Sequence, residues 1–406
     1  MSRFHIGIIG GGSAGLITAI NILRRCDDAF VTLFESSNAM GGLGFASNDR
    51  QAILNTPVHL CSAIPNDPNH FADFLRKLGL NPGPNDFVPR HYVADYLICL
   101  LSDNFSDKAK VVYSPVADVN LLPNGKVSFE LNEGAEFIFD AGVLAIGTTY
   151  GAVGSSIAAY PNHWIDSVDP DRPIFIQGTS VSAVDICLSL LRSKHNSEIV
   201  MFSNSGLLPS VRSRIQPGDC FDGCIDLAEL SSLFAHTLPT HQSQPSLGQD
   251  IDQCLSGQNH WQDAIAPFLN AADRIWGNAS MSEKRAFWDF NSKRCRRYIS
   301  AMPLASAMTL MDGMATNRVR VTSKPPKHAD DYFNVDASGL SNPIDCHLIQ
   351  KLRLKKLLYA NAFGGVGVCK QDQRTNPGQN LFALGTLTKG EAPFVNYIPT
   401  TVNSAD

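Results

Sequence analysis

Apolar and polar positions along the chain recur with two different periods, and the changes of period mark out its elements. Phe4-His-Ile-Gly-Ile-Ile9 is a short apolar run ending in glycines, suited to a buried parallel strand. Over residues 13–25 the apolar positions Leu16, Ala19, Ile20 and Leu23 return at helical spacing, and Val31-Thr-Leu-Phe34 is a second strand, closed by Glu35. Strand, helix and strand in immediate succession predict a βαβ unit. A second such unit starts at Pro173-Ile-Phe-Ile-Gln-Gly178, continues through a helix from about Val181 to Leu191, and ends in the strand Glu198–Phe202.

Between the two units lie short strand-like runs, Val111–Val116, Lys126–Leu131, Glu136–Asp140 and Val143–Ile146, the last running into Gly147-Thr-Thr. Residues 237–258 are polar with Pro and Gly and predict an exposed loop or flap. Residues 259–316 read as mainly helical, with Trp261, Ile265, Phe268, Leu269 and Ala272 spaced for one face. Strand character returns at Tyr332–Asp336 and Asn380–Leu384. The aromatic residues Trp261, Trp276, Phe287, Trp288 and Phe290 are expected to be helix packing rather than a substrate cage.

The strongest chemical signal is Gly10-x-Gly12-x-x-Gly15, with Ser13 and Ala14 opening the helix. Gly10 permits the tight turn out of the strand, Gly12 lets the backbone approach a pyrophosphate, and Gly15 lets helix and strand pack closely. The helix start offers N–H groups and a positive dipole end to phosphates. Glu35 stands 20 residues after Gly15 at a strand end, where a carboxylate accepts hydrogen bonds from a ribose diol. The pair Gly41-Gly42 just past that acid, the strand Asn380–Leu384 running into Gly385-Thr386, and the strand end at Gly147 resemble the corresponding segments of two-dinucleotide flavoproteins, and that resemblance implies FAD rather than NAD at this first site.

These motifs, with Ile53-Leu-Asn55-Thr-Pro57, Phe87-Val-Pro-Arg90, Gly178–Asp185, Ser205-Gly-Leu-Leu-Pro209 and Ala383–Gly390, resemble the bacterial FAD/NAD(P)-binding proteins related to class B flavin-dependent monooxygenases. The resemblance implies an α/β fold, in which an FAD-binding Rossmann-like domain (1–170 and 331–406) is interrupted by a second, NAD(P)-type Rossmann-like domain (171–330) with a helical insertion at about 225–316. It implies an FAD-dependent oxidoreductase that uses NADPH or NADH and O2, through a flavin C4a-hydroperoxide, to oxygenate a nitrogen, a sulfur or a ketone of a small molecule. The alternative is an FAD oxidase or dehydrogenase that takes hydride from its substrate.

The departures from the family pattern fall at the second nucleotide site. There G-x-G-x-x-A reads Gly178-Thr-Ser180-Val-Ser-Ala183, and Asn204-Ser205 stands where relatives carry an arginine pair for the 2′-phosphate of NADP. Arg212 and Arg214 are candidate substitutes, and Arg294, Arg296 and Arg297 lie upstream of the corresponding stretch before Pro303. Asn55 and Pro57 are expected beside the flavin ring. His59 is a candidate to hydrogen-bond flavin or substrate, Arg90 to meet a cofactor phosphate or substrate carboxylate, and Lys389 and Glu391 to lie near the flavin end.

Composition narrows the picture little further. The chain has 406 residues, 44% hydrophobic and 17% charged, with a net charge of -5, which argues against a general nucleic-acid binder. No apolar stretch approaches the ~20 residues needed to span a bilayer, and no secretory signal is visible, so a cytoplasmic location is expected. The ten cysteines, among them Cys26, Cys99, Cys187 and Cys346, read as reduced small hydrophobes. Cys220 and Cys224 have the wrong spacing for a C-x-x-C couple, and His236 and His241 lack a metal-ligand context.

Overall fold

Two parallel sheets, each grown from one βαβ unit, form the frame of the molecule. The computed structural model describes the chain except residues 1–2, 38–39, 46–48, 149–153, 213–224, 240–243, 259–260, 340, 396–397 and 406, and the side chains at 266, 270 and 290–294. Cys220, Cys224, Arg214, His241 and the side chains of Phe290 and Arg294 therefore lie outside the described residues.

Strand β1 (Phe4–Ile9) turns at Gly10 into helix α1 (Ser13–Arg25), which returns to β2 (Ala29–Phe34). Leu16, Ile17, Ile20 and Leu23 of α1 are buried with Ile6, Ile8, Val31 and Leu33 of the strands, which is what the helical spacing requires. After α2 (His70–Lys77) and α3 (His91–Phe105), β3 (Ala109–Val112) joins the sheet beside β2. The expected strand over 111–116 is in fact two. Pro115 has no N–H for a ladder, so the run breaks there and β4 (Val116–Leu121) starts an antiparallel meander with β5 (Val127–Leu131) and β6 (Glu136–Phe139). Strand β7 (Ala141–Leu144) then pairs with β1 on its free side.

The chain passes through β8 (Ile157–Ala158) into the second unit, β9 (Ile174–Gln177), α4 (Val181–Arg192) and β10 (Ile199–Phe202). A short β11 (Val211–Arg212) leads to helices α5 (Leu227–Thr237), α6 (Leu247–Leu255), α7 (Gln262–Asn278) and α8 (Met281–Ile299). Strand β12 (Met302–Pro303) closes this excursion by pairing with β11, and α9 (Leu304–Ala315), β13 (Val319–Thr322) and β14 (Phe333–Asp336) complete the second sheet. Helix α10 (His347–Leu354), β15 (Leu381–Ala383) and α11 (Ile398–Ala405) return to the first domain. The sheet orders are β15-β7-β1-β2-β3 and β13-β10-β9-β14-β8.

The structure differs from the expectations, or adds to them, at three places. Strand β14 pairs with β9, and β8 pairs with β14, so the second sheet takes up residues on both outer sides of the 171–330 span. The polar stretch 237–258 is not a loop throughout. Ser246 accepts from the N–H of Gln249 while the Gln249 side chain accepts from the Ser246 N–H, and this capping box starts α6, whose Leu247, Ile251 and Cys254 are buried. Strand β13, Val319-Arg-Val-Thr322, alternates β-branched and polar residues, lies outside the expected strands, and is completed by its pairing with β10.

The helices between β11 and β12 make a core of their own from Phe234, Trp261, Ile265, Phe268, Trp276, Phe287 and Tyr298. Trp261, Trp276 and Phe287 are thus packing residues. Among the described residues no helix is long and apolar enough to cross a membrane.

Candidate active site and its two nucleotide turns

The first turn is built around close backbone approach. Gly10 has φ +112°, and a Cβ there would sit 2.4 Å from the Ala145 carbonyl oxygen at the end of β7. A Cβ on Gly15 would sit 1.9 Å from the Gly10 carbonyl oxygen. Both glycines are demanded by the protein's own packing. Gly12 is different, because among the described residues a Cβ there would meet nothing nearer than the Gly42 Cα at 3.7 Å. Gly12 is the N-cap of α1, without a side-chain cap and without an acid in the first turn. The space over this helix start is therefore left open by glycine where packing does not require it, and the residues fit a pyrophosphate.

Glu35 faces the same turn. Its Oε2 accepts from the Gly11 N–H at 2.8 Å, and its Oε1 accepts from the N–H and hydroxyl of Ser37 at 2.8 and 2.9 Å. Oε2 retains a lone pair for a ribose hydroxyl. Gly41 donates its N–H to the Gly11 carbonyl at 2.9 Å, which lays the Gly41-Gly42 pair along the turn. Gly385 opens a 3-10 turn, Gly385–Thr388, that includes Thr386, and a Cβ on Gly385 would come 2.7 Å from the Ala14 Cβ. The structure thus brings Gly10, Gly12, Ser13, Ala14, Gly15, Glu35, Gly41, Gly42, Gly385 and Thr386 to one end of the first sheet. Gly147 follows β7 at that same end, with no heavy atom within 4 Å of a Cβ built on it.

The second unit repeats this geometry. Gly178 has φ +134°, and a Cβ there would sit 2.4 Å from the Ala337 carbonyl oxygen at the end of β14. The Gly178 N–H donates to Phe202 at 2.7 Å, as the Gly10 N–H donates to Phe34 at 2.8 Å. Ser180 takes the N-cap position of α4 with φ -79° and ψ -179°, against -71° and -178° for Gly12, and its side chain makes no capping bond. The residue in the place of Glu35 is Ser203. Its hydroxyl is bonded to that of Thr179 at 2.7 Å, and Thr179 also donates to the Leu207 carbonyl at 2.6 Å. Sequence reading missed this exchange of acid for hydroxyl, although aligning Gly10 with Gly178 and counting to the end of the next strand exposes it.

Several candidate residues turn out to be committed elsewhere. Arg90 is engaged by the protein itself. Its guanidinium donates to Asp185 Oδ2 at 2.6 Å and to the carbonyls of Gly44 and Ile53, each at 3.2 Å, and both charged side chains are largely buried. Burial pushes the Asp185 carboxyl above its ordinary value, and Arg90 opposes the shift. Arg212 is likewise engaged within the protein. It is buried and donates to the Tyr298 and Ile299 carbonyls at the end of α8 and to the Asn55 carbonyl at 3.0 Å. Arg297 pairs with buried Asp250 at 2.8 Å.

Asn55 is placed at that junction by its backbone. His59 is anchored through Nδ1 to the Pro84 carbonyl at 2.8 Å, which makes Nδ1 the protonated nitrogen and fixes the ring on its loop. Lys389 holds its ammonium 5.8 Å from the ring centre of Trp288, at the face of the helical insertion. Glu391 accepts from Asn361 Nδ2 at 3.1 Å.

Comparison with known proteins agrees with this geometry. Residues 7–149 match the family model described as FAD-NAD(P)-binding. No curated protein sequence matches the chain. Among solved structures, an ornithine N-hydroxylase of Kutzneria sp. 744 superposes with a TM-score of 0.63 at 15% identity, covering 99% of this chain and 98% of that one. The L-lysine 6-monooxygenase of Pseudomonas syringae gives 0.62 at 14% identity, covering 98% and 96%. The thioredoxin reductase of Lactococcus lactis gives 0.51 at 12% identity, covering 99% and 95%. The mixed α/β fold with two nucleotide units is thus shared, nearly end to end, with flavin-dependent monooxygenases and reductases.

Proposed function

We propose, from the premise that residues 7–149 form an FAD-NAD(P)-binding domain, that the chain is an FAD-dependent monooxygenase reduced by a nicotinamide coenzyme and acting on a small molecule. The observation that carries this reading is the second nucleotide turn, which repeats the first in its glycine, its helix start and its strand-end contact. An enzyme that took hydride only from its substrate would have no use for it.

FAD, when bound, supplies the acceptance of hydride and the activation of oxygen. The protein's part is to bind, orient and exclude water. The turn from Gly10 to Gly15 and the start of α1 receive the diphosphate, Glu35 receives the adenosine ribose, and the Gly385–Thr388 turn borders the flavin end. Gly178 and the start of α4 receive the diphosphate of the nicotinamide coenzyme, with Ser180 narrowing the approach by one hydroxymethyl group.

Ser203 supports NADPH over NADH. A carboxylate in the position of Glu35 accepts from a ribose diol and repels a 2′-phosphate, and a hydroxyl does not repel it. Oxygen transfer to a nitrogen, as in the ornithine and lysine hydroxylases, is the acceptor class proposed first, with a sulfur or a ketone as the other members of the resemblance.

The test is anaerobic mixing of the holoenzyme with NADPH or NADH, followed by admission of oxygen in the presence of L-ornithine, L-lysine or other small amines. NADPH is expected to bleach the flavin, and Ser203→Glu to raise its KM about tenfold, a cost of ~1.4 kcal/mol, without a like effect on NADH. Flavin that neither coenzyme bleaches, while a substrate does, would overturn the proposal in favour of an oxidase or dehydrogenase.

A further inference from the structure

The two nucleotide units meet along one face of α4, where the described residues make hydrogen bonds and ion pairs across the contact. Asp185, Ser189 and Arg192 are spaced i, i+4, i+7 and so lie on one stripe of the helix. Opposite them is the loop that runs from the Gly41-Gly42 pair to Asn55, described here at residues 40–45 and 49–55. Asp185 pairs with Arg90, which donates to Gly44 near one end of that loop and to Ile53 near the other, while the Arg90 N–H donates to the Ala52 carbonyl at 2.8 Å. Asp49, from within the loop, accepts from the Ser189 hydroxyl at 2.6 Å and from Arg192. The polarity is reciprocal, a helix carboxylate with an arginine of the first domain and a helix arginine with a carboxylate of the first domain.

We propose that Asp185 is a positioning residue that, by holding Arg90, sets residues 43–45 and 49–53 against the first nucleotide turn and so couples occupancy of that site to occupancy of the second. The loop starts where Gly41 bonds to Gly11, so its placement bears on the mouth of the first turn. Helix α4 starts at the second turn, and Asp185 lies five residues from Ser180, about 7.5 Å along a rigid helix. Buried ion pairs contribute less to stability than apolar packing of the same volume, so their use here points to register rather than to cohesion. Rotating or sliding α4 would separate two reciprocal pairs at once, whereas apolar side chains would slip. A ligand that holds the start of α4 thereby holds residues 43–45 and 49–53 through these pairs, and by linkage FAD favours the coenzyme by the same factor.

This inference rests on the proposed two-coenzyme reading, and the experiment separates the two. The full-length apoprotein is titrated with FAD, with and without saturating NADP+, following flavin fluorescence. The wild type is expected to bind FAD at least about 5-fold tighter with NADP+ present. In Asp185→Asn, which keeps the shape and an acceptor oxygen but removes the charge, that factor falls to near one. A general loss of stability would weaken FAD binding equally with and without NADP+ and would leave the ratio unchanged. Where Asp185→Asn does not give cooperative unfolding, Asp49→Asn and Ser189→Ala carry the same test through the second pair. A wild type that binds FAD with a factor of one, or folded variants that keep the wild-type factor, would overturn the coupling. A wild type that binds no FAD would instead remove the functional reading beneath it.

Discussion

The three glycines of the first turn look alike in sequence but do different work in the fold. Gly15 is pressed against the Gly10 carbonyl, so Gly15→Ala forces helix and strand apart and is expected to cost about 1–3 kcal/mol of stability. Gly12 has open space, so Gly12→Ala is expected to leave thermal unfolding nearly unchanged while FAD affinity falls at least tenfold, and Gly12→Val to abolish flavin retention. Paired melts and flavin titrations of the variants check this. Equal loss of stability for both alanine variants would mean that Gly12 is a packing glycine. At this scale the sequence was informative wherever one residue type serves a local turn, as with the G-x-G-x-x-G run and Glu35. It did not reveal the partners of Arg90 and Arg212, because the oxygens that accept from them come from segments far along the chain. No spacing rule reaches from Arg90 to Asp185.

At the scale of elements, strands and helices with a full period were legible, and those sustained by partners were not. β13 is defined by β10, and α6 by a capping box hidden in a polar stretch. The first turns of α6 also carry a carboxylate that no spacing in the chain marks as buried. Asp250 is fully buried, and its burial pushes the carboxyl up to about 6 against the opposing influence of Arg297 and Ser210. A folded-state value above the ordinary 3.8 means that the folded protein holds this proton more tightly. The stability it contributes is complete below 3.8 and is lost as pH rises through about 6. Asp250→Asn is expected to flatten the dependence of Tm on pH across that window, and to lower Tm above it because Arg297 loses its carboxylate. A wild-type profile already flat between these values would contradict the assignment.

Across the whole molecule, the helical insertion is tied to the first domain as well as to the second. Trp276 donates Nε1 to the Gly390 carbonyl at 2.9 Å, and its ring packs with Phe363. Trp276→Phe keeps most of the ring area but leaves that buried carbonyl without its donor, at a cost of about 1–3 kcal/mol. The expected result is faster amide exchange in the Lys389–Glu391 segment and a lower Tm, and exchange unchanged there would show that the seam is held by area alone. The expected two-domain order was legible because each βαβ unit announces itself locally. The exact crossing points were not, since β8 is too short to carry a period and the strand character of β14 does not say which sheet it joins.

That short pair has a consequence for how the molecule could be rebuilt. Ile157 lies opposite Val335 and Ala158 opposite Asp336, so the segments that lead into and out of the second sheet run side by side at its margin. Neighbouring ends are what allow a module to be lifted out as a cassette and replaced by another of the same make without unthreading its host. Exchange at these two points, with the stripe on α4 transplanted alongside, is the natural route to giving this scaffold a different electron donor.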